Sequence, residues 1–166
     1  MNELAKMLQK PVVLASDHAG YKLKTVLIHA LELMGHTVLD LGCETTENSC
    51  DYPLYGYKAA EAISSAKAAM GIVICGSGIG ISIAANRNPN VRAALCTSAE
   101  MAELARKHNN ANVLALGARI ISEEVASACM NTFLTTEFEG GRHLARVAQL
   151  SDMSNYSTLL DPKEKP

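Results

Sequence analysis

The chain has 166 residues, 48% hydrophobic and 19% charged, with 15 Lys and Arg against 17 Asp and Glu. That length suits one domain with a real core, and the near-balance of charge gives no sign of a nucleic-acid or anionic-membrane partner. No apolar run reaches the ~18 residues of a membrane span, and residues 1–10 mix charges without the apolar centre of a secretory leader. Cysteines 43, 50, 75, 96 and 129 are odd in number and never spaced Cys-x-x-Cys. Neither a disulfide framework nor a zinc site is expected, and the chain reads as cytoplasmic with reduced thiols.

Residues 1–10 read as a short leading arm, and the apolar run PVVLAS from Pro11 predicts the first strand. In YKLKTVLIHALELMG, Leu23, Leu27, Ala30, Leu31 and Met34 fall at helical spacing, with Gly35 as a stop. HTVLDLG from His36 predicts a second strand, and AEAISSAKAAM from Ala60 a helix. GIVICG, apolar on both faces, predicts a third strand, followed by a helix over ISIAANRN. VRAALCT, AEMAELARKH, NVLALGA and EEVASACMNTFL then predict strand, helix, strand and helix. The polar tail after Ser151 is expected to fray. Continuous apolar strands between amphipathic helices predict a single doubly wound, Rossmann-like α/β/α domain with a five-stranded parallel sheet.

In an open parallel sheet, ligands sit at the carboxyl ends of the strands. Those ends carry Asp17 and His18, Gly42 and Cys43, residues 75–80, residues 96–98, and residues 117–119 including Arg119. Gly76, Gly78 and Gly80 let successive N–H groups point at one anion, with a helix start behind them. The bland alternative is a tight turn that needs glycine sterically. A dinucleotide fingerprint would need glycine at 81, a cysteine phosphatase loop arginine at 81, and a P-loop a lysine after its last glycine. Ile81 and the missing lysine exclude all three.

His18 follows a carboxylate at this edge and suits proton transfer near neutral pH. Asp51, Tyr52 and Pro53 precede a helix, as a cap region or as part of a site. His108 and Asn109 are expected in a loop before the fifth strand. Arg142 and Arg146, four apart, form either a fork for phosphate or a solvated basic face. A thiol base, a second proton donor, an oxyanion cradle and a phosphate clamp together suit proton abstraction beside a carbonyl. Aldose–ketose isomerisation through an enediolate is that kind of chemistry. No metal-ligand spacing appears, and no cofactor is expected.

SDHAG, DYP, ICGSGIGISIAANR, RA, HNNANVLALGAR and EGGRHLARV, taken in order over residues 11–150, resemble the B-type ribose-5-phosphate isomerases. These share a fold with galactose-6-phosphate isomerase subunits. The resemblance implies that Cys75 is the base moving a proton between C1 and C2. Ser77 would assist it, and Gly76, Gly78, Ile79 and Gly80 would form the anion hole. It also implies that His108 opens the furanose ring with Asn109 beside it. Asp17, His18 and Tyr52 would contact sugar or phosphate, and Arg119, Arg142 and Arg146 would hold substrate and phosphate. One branch of the family has a glutamate at the position of Ile81 in place of the cysteine base, so this chain resembles the cysteine branch. No metal or cofactor is implied, and the partner is a small sugar phosphate. In that family the site is shared between subunits, which implies a homodimer or homotetramer here. The reaction implied is interconversion of D-ribose 5-phosphate and D-ribulose 5-phosphate. Allose 6-phosphate or galactose 6-phosphate is the alternative substrate, and a non-catalytic sugar-phosphate sensor or a thiol hydrolase is a different class of reading.

Overall fold

The computed structural model describes residues 10–151. The tail after Ser151 and the leading arm, but for Lys10, lie outside the described residues. The strands are β1 (Val12–Ser16), β2 (Val38–Asp40), β3 (Met70–Cys75), β4 (Ala93–Leu95) and β5 (Val113–Gly117). The helices are α1 (Tyr21–Leu33), α2 (Tyr52–Ser64), α3 (Ile79–Ala85), α4 (Ala99–Asn109), α5 (Glu123–Thr135) and α6 (His143–Ser151). All five strands are parallel, in the order β2-β1-β3-β5-β4. This is the doubly wound architecture that the alternating pattern predicts.

Every residue of β1 and β5 is buried, as expected where helices cover both faces of a parallel sheet. Alternate side chains enter two separate cores. Leu14, Ile72 and Leu114 pack with Leu27 of α1 and with Met130 and Phe133 of α5. Val13, Val73 and Ala115 pack with Ala59 of α2 and Ile81 of α3. The helix after β1 therefore covers one face, and the helix after β3 covers the other. The crevice between the carboxyl ends of β1 and β3 is the switch point, where such folds hold their ligands.

Several boundaries differ from the expectations. β2 and β4 shrink to three residues each and are only partly buried, because they are the two sheet edges and pairing stops early. The second helix starts at Tyr52 rather than Ala60, since extended Asp51 and Pro53 in the first turn make a good helix entry. It ends at Ser64, so Lys67 to Met70 are not helical. α1 ends at a left-handed Gly35 (φ +83°), which leaves Met34 44% exposed instead of buried. Lys24, near the start of the same helix, is buried at 2% exposure with Nζ on Asp40 Oδ2. His108 and Asn109 close α4 rather than lying in a loop, and Arg142 immediately precedes α6 rather than lying on it.

Candidate active site

Cys75 is the last residue of β3 and is 3% exposed. Its Sγ accepts the N–H of Gly78 at 3.1 Å, so the chain turns back on the sulfur within three residues. That turn needs φ +78° at Gly78, which also leads directly into α3. A Cβ there would sit 2.5 Å from Leu95 Cδ1 and 2.8 Å from the Leu116 carbonyl carbon. The neighbouring glycines answer to different neighbours: a Cβ at Gly80 would strike the Tyr52 ring at 2.5 Å, and one at Gly76 would touch Arg119 at 3.4 Å. The expected cradle is thus partly engaged within the loop. Gly78 N–H serves the sulfur, and Ile79 N–H donates to Ser77 Oγ at 3.3 Å.

Gly78→Ala is expected to cost about 2–4 kcal/mol, combining a positive-φ penalty with overpacking against backbone. Gly35 has a similar φ, but a Cβ there would meet nothing within 4 Å. Gly35→Ala should therefore cost only about 1 kcal/mol. Urea denaturation midpoints of the two variants compare them directly; equal losses would refute the packing argument.

The other strand ends converge on this loop. Asp17 N–H donates to Ile74 O at 3.2 Å, and Asp17 Oδ1 accepts Gly20 N–H at 3.0 Å. A Cβ on Gly20 would lie 2.7 Å from Ile74 O, so the Asp17–His18 turn rests on the end of β3. His18 Nδ1 lies 3.1 Å from Cys50 N and 3.3 Å from Cys50 O, so the ring is held against the Cys50 peptide. From β5, Arg119 N–H donates to Gly76 O at 2.9 Å, and its side chain is exposed. Asp17, His18, Tyr52, Cys75, the glycine loop and Arg119 therefore share one edge.

The remaining predicted residues sit at the opposite edge. α4 runs from the carboxyl end of β4 back to the amino end of β5, carrying His108 and Asn109 with it. Arg106, 6% exposed, donates to Ala111 O, Asn110 Oδ1 and Thr136 O, locking the ends of α4 and α5 together. His108 stacks on His143 with centroids 4.5 Å apart and planes at 10°. Glu139 Oε2 lies 3.9 Å from His108 Nε2 and 3.7 Å from His143 Nε2. Burial, then the neighbouring His108 and Arg142, hold the His143 pKa below its ordinary value, with Glu139 opposing. Arg142 Nε donates to His143 Nε2 at 3.4 Å, and both Arg142 and Arg146 are exposed. His143 is not singled out from the sequence, although it lies within the EGGRHLARV motif; its stacking on His108 is visible only in the fold.

His108, Glu139 and His143 bring ligand-type atoms within 4.8 Å of one another, the one such group among the described residues. The fit to a metal is poor, because a guanidinium already occupies His143 Nε2 and places positive charge there. Exposed Arg142 and Arg146 flank His143 in sequence. β3 spans about 17 Å at ~3.3 Å per residue and ends at Cys75, whereas α4 delivers His108 to the amino end of β5.

The buried thiol in its glycine turn lies at the switch point of the sheet, where folds of the doubly wound class hold small-molecule ligands. The model of the Ribose/Galactose Isomerase family matches residues 12–150, and the chain belongs to that family. The solved ribose-5-phosphate isomerase B of Clostridium thermocellum is 45% identical, with a TM-score of 0.85 over 88% of this chain and 98% of that one. The Mycoplasma genitalium ribose-5-phosphate isomerase B, solved with bound ribulose-5-phosphate, is 34% identical. Its TM-score is 0.83 over 92% of this chain and 99% of that one. Ribose-5-phosphate isomerase B of Escherichia coli is 39% identical over 142 residues, covering 86% of this chain and 95% of its own. No helix among the described residues is long and apolar enough to cross a membrane.

Proposed function

We propose that this isomerase interconverts D-ribose 5-phosphate and D-ribulose 5-phosphate, with Cys75 as the base, at a site completed by a second copy of the chain. The observation that carries the reading is the Cys75 thiol, held by Gly78 N–H at the β1–β3 switch point of a chain in this family. The open-chain aldose lies with its C2 hydrogen toward Cys75 Sγ. The thiolate takes that proton, charge develops on the carbonyl oxygen, and N–H groups and the Ser77 hydroxyl of the loop hold it. A proton passes from O2 to O1, and return of the first proton to C1 gives the ketose. Asp17, His18 and Tyr52 orient the sugar beside Arg119.

The second copy supplies the groups that one chain keeps at its far edge. His108 and Asn109 face the ring oxygen, where His108 assists opening, and Arg142 with Arg146 binds the phosphate as a bidentate cation pair. Exposed Tyr52, Leu54, Ile79 and Ile83, at 43–53% exposure, form an apolar patch beside Cys75 that such a contact would cover. Turnover of purified protein on D-ribose 5-phosphate and D-allose 6-phosphate, with EDTA present, tests the proposal. Preference for the pentose, unaffected by chelator, is the expected result. Preference for the hexose would move the substrate assignment, and activity on neither would overturn the enzymatic reading.

A further inference from the structure

The loop that follows β2 holds two thiols that the proposed isomerisation does not use. Cys50 Sγ lies 2.8 Å from Cys43 Sγ, and Cys43 Sγ lies 3.1 Å from Thr45 O. Cys43 is 6% exposed and Cys50 half-buried. Burial alone would raise the Cys43 thiol, but hydrogen bonds with Cys50, Thr45, Tyr55 and Glu44 together bring its pKa below the ordinary value. Burial, then the hydrogen bond with Cys43, pushes Cys50 the other way. Two sulfurs thus lie in near contact within one loop, one with its pKa drawn down and the other pushed up. The same Cys50 holds the site: its N–H donates to His18 Nδ1 at 3.1 Å, and its sulfur is 4.0 Å from that nitrogen.

We infer that Cys43 and Cys50 are a redox modification site, forming a reversible disulfide that shifts His18 and lowers isomerase activity. Hydrogen peroxide is the oxidant. One thiolate attacks its oxygen: an S–O bond forms, the O–O bond breaks, and water leaves. The second thiol attacks the resulting sulfenic acid: the S–S bond forms, the S–O bond breaks, and a second water leaves. Two thiol protons and two electrons pass to one peroxide. Closing the sulfurs to the ~2.05 Å of a disulfide draws Cys50 toward Cys43, and its amide pulls on His18. The activity part of this inference rests on the proposed isomerase reading; the disulfide does not.

The test treats wild-type protein with hydrogen peroxide, alkylates it with N-ethylmaleimide and maps tryptic peptides. Residues 25–58, free of internal Lys and Arg, carry both Cys43 and Cys50, while Cys75 falls in the separate peptide 68–87. The expected product is peptide 25–58 lighter by two hydrogens and without maleimide. The value of kcat/KM should then be lowered about tenfold, as for a sub-ångström misplacement of a positioned group, and restored by dithiothreitol. In Cys43→Ser, activity should survive the same peroxide dose. Maleimide on both Cys43 and Cys50 after peroxide would overturn the site. A disulfide with unchanged kcat/KM, or equal inactivation of Cys43→Ser with oxidation at Cys75, would overturn the coupling to His18.

Discussion

Cys75→Ala is expected to lower kcat on D-ribose 5-phosphate by about 10³-fold, the middle of the range for loss of a positioned general base. Affinity for the sugar phosphate should change little, because nothing in the phosphate clamp touches Cys75. The substitution removes a 3%-exposed sulfur that accepts one backbone N–H, so the fold should hold. Cys75→Ser is the useful companion. It keeps a hydrogen-bond acceptor for Gly78 but offers a hydroxyl whose proton leaves far less readily, and it should be nearly as inactive. Rates from a coupled assay and affinities from isothermal titration separate the two effects. Near-normal kcat in either variant would remove the thiol from the chemistry.

The double substitution Arg142→Ala and Arg146→Ala should raise KM by about 10²-fold or more, with kcat falling much less. Two charge-assisted contacts to a dianion are each worth about 1.5–3 kcal/mol, and a phosphate distant from the reacting carbons contributes mainly to binding. Both side chains are exposed, so folding should be unaffected. Inorganic phosphate offers an independent readout: its weak competitive inhibition should vanish in the double variant. An effect confined to kcat would mean the arginines act at the sugar end instead.

Much of the architecture is legible in the sequence because parallel strands buried on both faces must be continuously apolar. PVVLAS, GIVICG and NVLALGA therefore stand out, and they become β1, β3 and β5 at the sheet centre. The edges are less legible. VRAALCT reads as a strand, yet only Ala93–Leu95 pairs: this edge strand leaves β5 at Ala115, before β5 itself ends at Gly117, and local composition does not record that. Cys75 with its glycines is legible from the strand–glycine–helix order alone. The chemical roles of His108, Arg142 and Arg146 are not. They sit at the edge away from Cys75, and only the resemblance to a family joins them to one site. The nearness of Cys43 to Cys50 is also invisible in the sequence, since the intervening loop has no periodicity from which to infer a fold-back.

The division of the site between two edges makes a shared site the central claim, and mixed oligomers test it most directly. Cys75→Ala chains and chains carrying both Arg142→Ala and Arg146→Ala are co-expressed with different tags, at equal levels, and assayed at low substrate. In a two-fold dimer with random pairing, half the dimers are mixed and each has one intact site of two. About a quarter of wild-type activity should therefore return from two nearly inactive parents. Activity no greater than the mean of the parents would place the whole site within one chain and contradict the account.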